Sequence, residues 1–381
     1  MNRLVPMYLE ARDDLSAAHL AALAAALDGS GPAVAPTSAA LTEREVPDGV
    51  AAVVRTSGSG GEPREVMLGA AALESSARAA HDRLGGPGRW LLALPPQHAA
   101  GLQVMVRSIV AGTEPAVLPA VTETDVLRAA RIPGLPLYAS LVPTQLHRIL
   151  AGAGPDGALP PALRPWADLD AILVGGAATP PGLLDRARAA GLRVVTTYGM
   201  TETCGGCVYD GAPLAGVRVR IDSGAIRLAG PVLAHGYLDR PDLDAEAFET
   251  VDGIRWFRTA DTGLLADDGG LRVLGRLDDV IVTGGVKVAP VSVEELLSLD
   301  PDVAEACVVP VADAEWGQVV AAVVVPAPGS PGPDLDRLRA LVGRTLGPAA
   351  APRRLVITDA LPQRGPGKVD RAAAARLIPG T

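Results

Sequence analysis

Residues 198–207, YGMTETCGGC, place hydroxyl groups and a carboxylate directly after the apolar run LRVVTT. A turn at the end of a strand needs glycine, but it does not need the succession of Thr201, Glu202 and Thr203. Hydroxyl groups can donate hydrogen bonds to a phosphate, and a carboxylate can hold the metal ion that accompanies it. The stretch therefore indicates a phosphate and metal site, with a polar surface turn as the alternative.

Two other stretches carry groups suited to a nucleotide. Residues 55–68, RTSGSGGEPREVML, place three hydroxyls and three glycines after a predicted strand, and glycine backbone amides can surround an anion. No Gly-Lys-Ser/Thr follows, so this is not the P-loop of many ATPases, and a flexible loop is the alternative. Asp261 lies at the end of a strand-like run in FRTADTG. Its carboxylate could accept both hydroxyls of a ribose, or it could close an Asx-turn.

Three further features are ambiguous by themselves. Residues 275–295, GRLDDVIVTGGVKVAPVSVEE, mix charges, paired glycines and β-branched residues, as a solvated linker also would. Lys368 lies in the Pro/Gly-rich stretch LPQRGPGKVDR, where a lysine is ordinarily a surface residue. Cys204 and Cys207 form a C-x-x-C pair. A redox or zinc role would need a second pair or a thioredoxin-like context, and the sequence has neither.

The elements that must position these residues change along the chain. Between about residues 50 and 200, β-branched runs alternate with helical patterns, such as DAILVGG before PPGLLDRARAAG. This alternation predicts an α/β fold with a mostly parallel sheet covered by helices, in which ligands bind where strands end. From about residue 216 closely spaced strands follow, with a hairpin at DDGG, and past Asp278 comes a small α+β unit. We therefore predict two domains, residues 1–277 and 278–381.

Composition argues against several classes of protein. The 381 residues are 48% hydrophobic, which suits one large domain or two ordinary ones. A net charge of −9 argues against a nucleic-acid partner held by a basic face. The three cysteines are too few for a disulfide scaffold, the N-terminus is acidic where a secretory leader is apolar, and the apolar runs are too short to span a bilayer. These features predict a soluble cytoplasmic protein without membrane insertion.

In this order and spacing the stretches resemble the motifs of the adenylate-forming superfamily, which includes acyl-CoA synthetases, luciferases and adenylation domains. TSGSGGEPREV resembles its phosphate loop, ILVGGAATPP its adenine-side loop, YGMTET its best-known motif, FRTADTG its ribose-binding segment, GRLDDVIVTGG its hinge and LPQRGPGKVDR its C-terminal lysine motif. The resemblance extends over residues 50–381. It implies the fold of that superfamily, in which a large α/β N-terminal domain with a β-rich portion precedes a small mobile C-terminal domain.

The sequence departs from the superfamily pattern at two places. Arg64 replaces the usual phosphate-loop lysine, which keeps the charge but changes its reach and geometry. The region before the phosphate loop is also markedly shorter than usual in the superfamily. By comparison with the superfamily pattern, we therefore expect a trimmed N-terminal subdomain.

The resemblance also implies a reaction and the residues that serve it. A carboxylic acid attacks the α-phosphate of ATP in the presence of Mg²⁺, and coenzyme A then displaces AMP from the acyl-adenylate. The β- and γ-phosphates would be held by Thr56, Ser57, Gly58, Ser59, Gly60 and Gly61. Thr201 would contact the α-phosphate, Glu202 would hold Mg²⁺, and Lys368 would bridge the carboxylate and the α-phosphate. The remaining nucleotide contacts would come from Gly175, Gly176, Ala177, Tyr198, Gly199, Asp261 and Arg276. In the second step the C-terminal domain would rotate about Asp278, so that VTGGVKV lines a pantetheine tunnel.

The acid is indicated by residues 94–112, LPPQHAAGLQVMVRSIVAG, which resemble the acyl-pocket segment, with His98 at its usual position. Nine residues later, Arg107 lies on a predicted helix whose other residues are mostly apolar. A buried arginine is costly unless it meets an anion, and a substrate with a second carboxylate would supply one. An exposed helical arginine is the alternative.

The short chain, the spacing from His98 to Arg107 and the segment SLVPTQLHRIL together resemble the 2-succinylbenzoate–CoA ligases of menaquinone synthesis. The resemblance adds Ser140 and Thr144 to the substrate-binding residues, and a homodimer is a further expectation. One rival is a free-standing adenylation enzyme that loads an aryl acid onto a carrier protein. Another is a nucleotide-binding sensor or scaffold without catalysis, for which Arg64 is the only hint.

Overall fold

The computed structural model describes residues 1–9, 15–37, 44–57, 63–154, 157–327, 329–363 and 369–379. In these ranges the first strands are β1 (Asn2–Tyr8), β2 (Ala33–Thr37), β3 (Arg44–Val46), β4 (Val50–Ser57), β5 (Pro63–Gly69), β6 (Arg89–Leu92), β7 (Ala116–Val117), β8 (Leu137–Leu141), β9 (Ala171–Val174), β10 (Val194–Met200), β11 (Gly205–Tyr209) and β12 (Ala212–Pro213). The later strands are β13 (Arg218–Asp222), β14 (Ala225–Ala229), β15 (Gly236–Tyr237), β16 (Phe248–Val251), β17 (Ile254–Leu265), β18 (Leu271–Arg276), β19 (Ile281–Thr283), β20 (Val286–Val288), β21 (Val303–Asp313), β22 (Gly317–Pro326) and β23 (Arg354–Ile357).

The helices alternate with these strands through the first half of the chain. They are α1 (Ala17–Asp28), α2 (Ala70–Leu84), α3 (Ala99–Val110), α4 (Asp125–Ala130), α5 (Pro143–Leu150), α6 (Pro181–Ala189), α7 (Pro241–Ala247), α8 (Pro290–Leu297), α9 (Leu335–Leu346) and α10 (Arg371–Ala375). Proline occupies the first position of α5 and α6, where its missing amide proton is not needed. In the described part of the chain, no helix combines the length and apolar character needed to cross a membrane.

The predicted parallel sheet is the largest sheet of the described residues, with strand order β12-β11-β10-β9-β8-β6-β7. Five neighbouring strands, β10, β9, β8, β6 and β7, run parallel, whereas β11 and β12 are antiparallel to their neighbours. Alternate residues of β8 and β9 enter the hydrophobic cores on the two faces of the sheet. Burial on both faces explains why these strands read as continuous apolar runs in the sequence.

The strand order of a second sheet is β15-β5-β4-β2-β1-β3, and it corrects one expectation. The sequence pattern predicted that the Ser/Gly loop after β4 leads directly into a helix. Instead β5 intervenes and pairs antiparallel with β4, so the loop connects a hairpin. The reason is that Val66 and Leu68 of β5 are buried in the core, while the backbone of β5 pairs with the backbone groups at the edge of β4. The mostly parallel prediction therefore holds for the largest sheet but not for this mixed one.

The second half of the chain forms two further sheets, as the change of pattern near residue 216 predicts. In the first, β13, β14, β17 and β16 are neighbours and β18 pairs with β17 through the predicted DDGG hairpin. In the other, the order is β20-β19-β22-β21, with β23 beside β22. That last sheet contains only strands after residue 280, and α8 and α9 pack with it around one core.

Candidate active site

The polar stretch after β10 is a single 3₁₀ turn, Thr201–Thr203, at the end of a parallel strand. Thr203 is buried, and its hydroxyl accepts a hydrogen bond from the Met200 amide at 2.9 Å and contacts the Gly205 carbonyl at 2.8 Å. Thr201 and Glu202 are only half-buried. The second threonine therefore shapes the turn, while the first threonine and the glutamate stay partly accessible at the strand end, where ligands bind in such sheets.

Glycines let the neighbouring loops press against β10. A Cβ atom on Gly199 would overlap the Gly205 carbonyl, and one on Gly175 would overlap the Thr197 hydroxyl. The Gly175 amide also donates to the Leu141 carbonyl at 3.2 Å, which fixes the loop beyond β9. These close approaches bring Gly175, with Gly176 and Ala177 after it, beside the strand that carries Tyr198.

Tyr198, Asp261 and Arg276 meet although they are far apart in sequence. The Tyr198 hydroxyl donates to Asp261 Oδ2 at 2.8 Å, and Arg276 Nη1 lies 3.6 Å from Asp261 Oδ1. Burial raises the pKa of the Asp261 carboxyl above its usual value, against the lowering effect of Tyr198 and Arg276. The same burial, together with Asp261, raises the pKa of Tyr198, so that its hydroxyl stays a donor. The arrangement offers a fixed carboxylate to the hydroxyls of a ligand.

Glu202 is held by a residue that the sequence did not single out. The Tyr237 hydroxyl donates to Glu202 Oε1 at 2.8 Å, and the Ala234 amide donates to the Glu202 carbonyl at 2.8 Å. Among the described residues, the second carboxylate oxygen, Oε2, has no hydrogen-bond partner. A Mg²⁺ ion is typically held by one or two carboxylates together with the phosphates of a substrate. The donor set at Glu202 therefore fits this ion.

Several predicted phosphate-loop residues and the C-terminal lysine cannot be placed. Gly58, Ser59, Gly60, Gly61 and Lys368 lie outside the described residues, as does the side chain of Ser57. On the strands that flank the loop, the Thr56 hydroxyl donates to the Arg64 carbonyl at 3.4 Å. Gln363 and Val369, on either side of the segment that contains Lys368, pair in an antiparallel bridge.

Arg107 is buried in the protein, and the alternative of an exposed helical arginine is wrong. Arg107 is only 3% exposed, and its guanidinium carbon lies 4.7 Å from the Trp90 ring centroid. Nη1 donates to Ser140 Oγ at 3.3 Å and Nη2 donates to the Tyr209 hydroxyl at 3.2 Å. Nε is buried without a hydrogen-bond partner, and within the described ranges no carboxylate forms an ion pair with Arg107.

The surroundings of Arg107 show how unusual this cation is. Trp90 Nε1 donates to His81 Nε2 at 3.1 Å. Burial, and secondarily the nearby Arg107, lowers the pKa of His81 to about 4. The neighbouring histidine is therefore neutral, and the guanidinium is surrounded by neutral polar groups and aromatic rings. A buried charge without a counter-ion is costly, so this site is suited to an anionic group of a ligand.

Close contacts connect Arg107 to the strand end. A Cβ atom on Gly206 would lie 3.2 Å from the Tyr209 ring and 3.0 Å from the Thr197 side chain. His98 is the exposed N-cap of α3, about 13 Å along the helix axis from Arg107. Thr144 is half-buried in the first turn of α5. The structure therefore brings Ser140 to Arg107, and places His98 and Thr144 at the N-terminal ends of α3 and α5, the helices that follow the neighbouring strands β6 and β8.

The segment between β18 and β19 is attached to both halves of the chain. Arg276 Nη2 lies 3.4 Å from Asp278 Oδ2, whereas Arg371 Nε lies 3.1 Å from Asp279 Oδ2. Arg371 also pairs with Glu294, which anchors it to the last sheet and its helices. The two consecutive aspartates are thus held by arginines from opposite sides.

The C-x-x-C pair has no reactive setting. Cys204 and Cys207 are both fully buried. Burial raises the pKa of both thiols, that of Cys207 to about 12. Reactive or metal-binding cysteines need the thiolate form, so these two residues act as core side chains.

The comparisons with known proteins agree with this geometry. The profile described as AMP-binding enzyme matches residues 8–238, and that of the AMP-binding enzyme C-terminal domain matches residues 292–368. The chain is 47% identical over 378 residues to the probable 2-succinylbenzoate–CoA ligase of Mycobacterium tuberculosis, and the match covers 95% of each chain.

Two solved enzymes share the fold. One is the o-succinylbenzoate CoA synthetase of Bacillus subtilis in complex with the acyl-adenylate intermediate OSB-AMP, with a TM-score of 0.72, 28% identity and coverage of 88% of this chain and 70% of that one. The same synthetase has also been solved with ATP and a magnesium ion (TM-score 0.71, 28% identity, coverage 88% and 72%). The other is an amide bond synthetase from Marinactinospora thermotolerans (TM-score 0.75, 28% identity, coverage 91% and 75%). The fold therefore serves more than one type of reaction.

Proposed function

The chain belongs to the AMP-binding enzyme family, and from that membership we propose that it joins 2-succinylbenzoate to coenzyme A with ATP as the energy source. The products are 2-succinylbenzoyl-CoA, AMP and pyrophosphate, and the reaction belongs to menaquinone synthesis. The observation that carries the choice of acid is the buried guanidinium of Arg107. The aromatic carboxylate of this substrate would be its counter-ion, while the succinyl carboxylate is activated.

In the first step the succinyl carboxylate forms a bond to the α-phosphorus of ATP, and the bond to the β-phosphate breaks as pyrophosphate leaves. Negative charge on the phosphate oxygens must be met by groups that are already in place. We assign this role to Thr201, at the end of β10, and to Lys368. Bound at Glu202, Mg²⁺ would neutralise charge on the phosphates.

The nucleotide is oriented by residues from three different elements. Asp261 would accept the ribose hydroxyls, with Tyr198 and Arg276 keeping its carboxylate in position. The adenine would lie between the loop beyond β9, with Gly175, and the strand that carries Tyr198. Thr56 and the residues after it would contact the β- and γ-phosphates.

In the second step the sulfur of coenzyme A loses its proton to the solvent and forms a bond to the acyl carbon, and AMP leaves with the electrons of the broken carbon–oxygen bond. Lys368 must make room for the thiol. We therefore propose that residues 278–381 form a domain that rotates against residues 1–277 about Asp278. The attachment of Asp278 to Arg276 and of Asp279 to Arg371 supports this boundary, since the consecutive residues are held by opposite sides.

Substituting Asp278 with proline is expected to separate the two steps. Proline fixes φ and restricts the residue before it, so a hinge that must change its backbone angles is held in one state. We expect adenylate to form at a near-normal rate and thioester formation to fall by roughly tenfold or more, measured as pyrophosphate release and as acyl-CoA formation. Asp267→Pro in the β17–β18 hairpin is the control for an added proline. Normal overall turnover in Asp278→Pro would show that the chain does not bend there.

The function is tested by incubating the protein with ATP, Mg²⁺ and 2-succinylbenzoate, with or without coenzyme A. We expect a single burst of pyrophosphate without coenzyme A and continuous AMP release with it. An enzyme that loads a carrier protein would show the burst in both cases, and a catalytically inactive nucleotide-binding protein would show neither. A cytoplasmic location and a homodimer stay predictions, the first supported by the supply of ATP and coenzyme A in that compartment.

A further inference from the structure

We propose that Tyr237 is the residue that positions the carboxylate of Glu202 toward the metal ion of the first step. The inference rests on the proposed function, because it concerns the ion that accompanies ATP. Tyr237 is 3% exposed, and its hydroxyl donates to Glu202 Oε1 at 2.8 Å. The bond occupies one carboxylate oxygen and leaves the other oriented for a ligand. Such outer hydrogen-bond partners orient metal ligands and tune their affinity.

The backbone holds Tyr237 rigidly beside the strand that follows the phosphate loop. In β15, Tyr237 is opposite Val66 of β5. The residues on either side continue this pairing, since the His235 amide donates to the Met67 carbonyl and the Leu238 amide to the Glu65 carbonyl, both at 2.8 Å. The Tyr237 amide itself donates to Asp244 Oδ1 at 2.8 Å. The hydroxyl therefore has little freedom to leave Glu202.

The ring of Tyr237 is also contacted by Arg64, the arginine that stands where the superfamily usually has lysine. The Arg64 guanidinium carbon lies 5.7 Å from the ring centroid, within the range of a cation–π contact. A planar guanidinium can stack on an aromatic face in a way that a lysine ammonium cannot. Tyr237 therefore contacts Arg64 of the β4–β5 hairpin through its ring and Glu202, the proposed metal ligand, through its hydroxyl.

The geometry also fixes the roles in this pair, since the Tyr237 hydroxyl is the donor and the Glu202 carboxylate the acceptor. Hydrogen bonds to an ionised acceptor are shorter and stronger than neutral ones. The contact can thus hold the carboxylate in one orientation before the nucleotide arrives.

The experiment removes only the hydroxyl. Tyr237→Phe keeps the ring that Arg64 contacts, and Mn²⁺ is titrated into the enzyme with α,β-methylene-ATP, an analogue that cannot release pyrophosphate, and followed by electron paramagnetic resonance. We expect the Mn²⁺ dissociation constant to rise roughly tenfold or more. The Mg²⁺ concentration needed for half-maximal pyrophosphate release should rise in parallel. The control is Tyr138→Phe, which removes the hydroxyl of another buried tyrosine that bonds only the Leu84 and Gly86 carbonyls, and Mn²⁺ binding should not change.

A second pair of variants separates positioning from a general loss of structure. If Tyr237 acts through Glu202, adding Tyr237→Phe to Glu202→Gln should change the Mn²⁺ dissociation constant by less than about twofold. An undiminished effect in that background, or unchanged Mn²⁺ affinity in a folded Tyr237→Phe protein, would overturn the proposal. Glu202→Asp provides a second route, because it keeps the charge but shortens the reach to Tyr237, and should also weaken Mn²⁺ binding. No acid is present in the titration, so its outcome does not depend on whether 2-succinylbenzoate is the substrate.

Discussion

Substituting Lys368 with alanine is expected to abolish adenylate formation and largely to spare thioester formation from presynthesised acyl-adenylate. The first step alone places new negative charge between the acid and the α-phosphate, which this lysine would meet. Loss of a positioned electrostatic group of this kind typically lowers the rate by about 10²–10³-fold. The two half-reactions are measured separately, as pyrophosphate release from ATP and the acid, and as acyl-CoA formation from the adenylate.

The flanking structure makes this a specific test. Gln363 pairs with Val369, and the Asp370 side chain caps α10 by accepting from the Ala373 amide at 2.9 Å. In the sequence Lys368 directly precedes this anchored segment, and neither of the two contacts is made by its side chain. Arg344→Ala removes an exposed cation from α9 of the same C-terminal unit and should leave both half-reactions unchanged. Equal damage to both steps in Lys368→Ala would contradict the assigned role.

Substituting Arg107 with methionine is expected to lower kcat/KM for 2-succinylbenzoate by at least about 30-fold. Breaking a desolvated charge pair costs about 2–5 kcal/mol, and each 1.36 kcal/mol is about tenfold in rate. Methionine is preferred to alanine because most of the Arg107 side chain is packed in the protein, and a large cavity would destabilise the fold for an unrelated reason. The affinity for ATP should barely change, since no nucleotide-binding residue contacts Arg107 within the described chain.

The substrate analogue 4-oxo-4-phenylbutanoate, which lacks the aromatic carboxylate, decides what Arg107 does. It should be a poor substrate of the wild-type protein, because the guanidinium stays without a counter-ion, and it should lose little further activity in Arg107→Met. Arg186→Met is the control, since this exposed arginine of α6 bonds the Leu150 carbonyl of α5, whose core is separate from the one that contains Trp90 and Tyr209. If the analogue and the true substrate lose equal activity in Arg107→Met, Arg107 is only structural and the acid must be chosen anew.

The sequence predicted the alternating elements and the positions of the chemical groups because both are local properties. Periodicity identified α3, α5 and α6, and the DDGG turn identified the β17–β18 hairpin, since each depends on neighbours within a few residues. The motif order indicated the adenylate-forming fold, which the comparisons confirm. The hairpin of β4 and β5 was missed because the alternation in REVML is short, and whether such a run forms a strand depends on a free strand edge elsewhere.

Tertiary structure decided which groups work together. Tyr209 is 102 residues from Arg107, and Tyr237 is 35 residues from Glu202. Neither tyrosine stands in a motif of polar residues, so only the packing of strands shows that each hydroxyl meets a functional side chain. The same holds for Thr203, which looked chemical in the sequence but is buried and shapes the turn. The sequence gives residue types and their order directly. Burial and hydrogen-bond partners are decided only when distant segments pack, because desolvation depends on the whole fold.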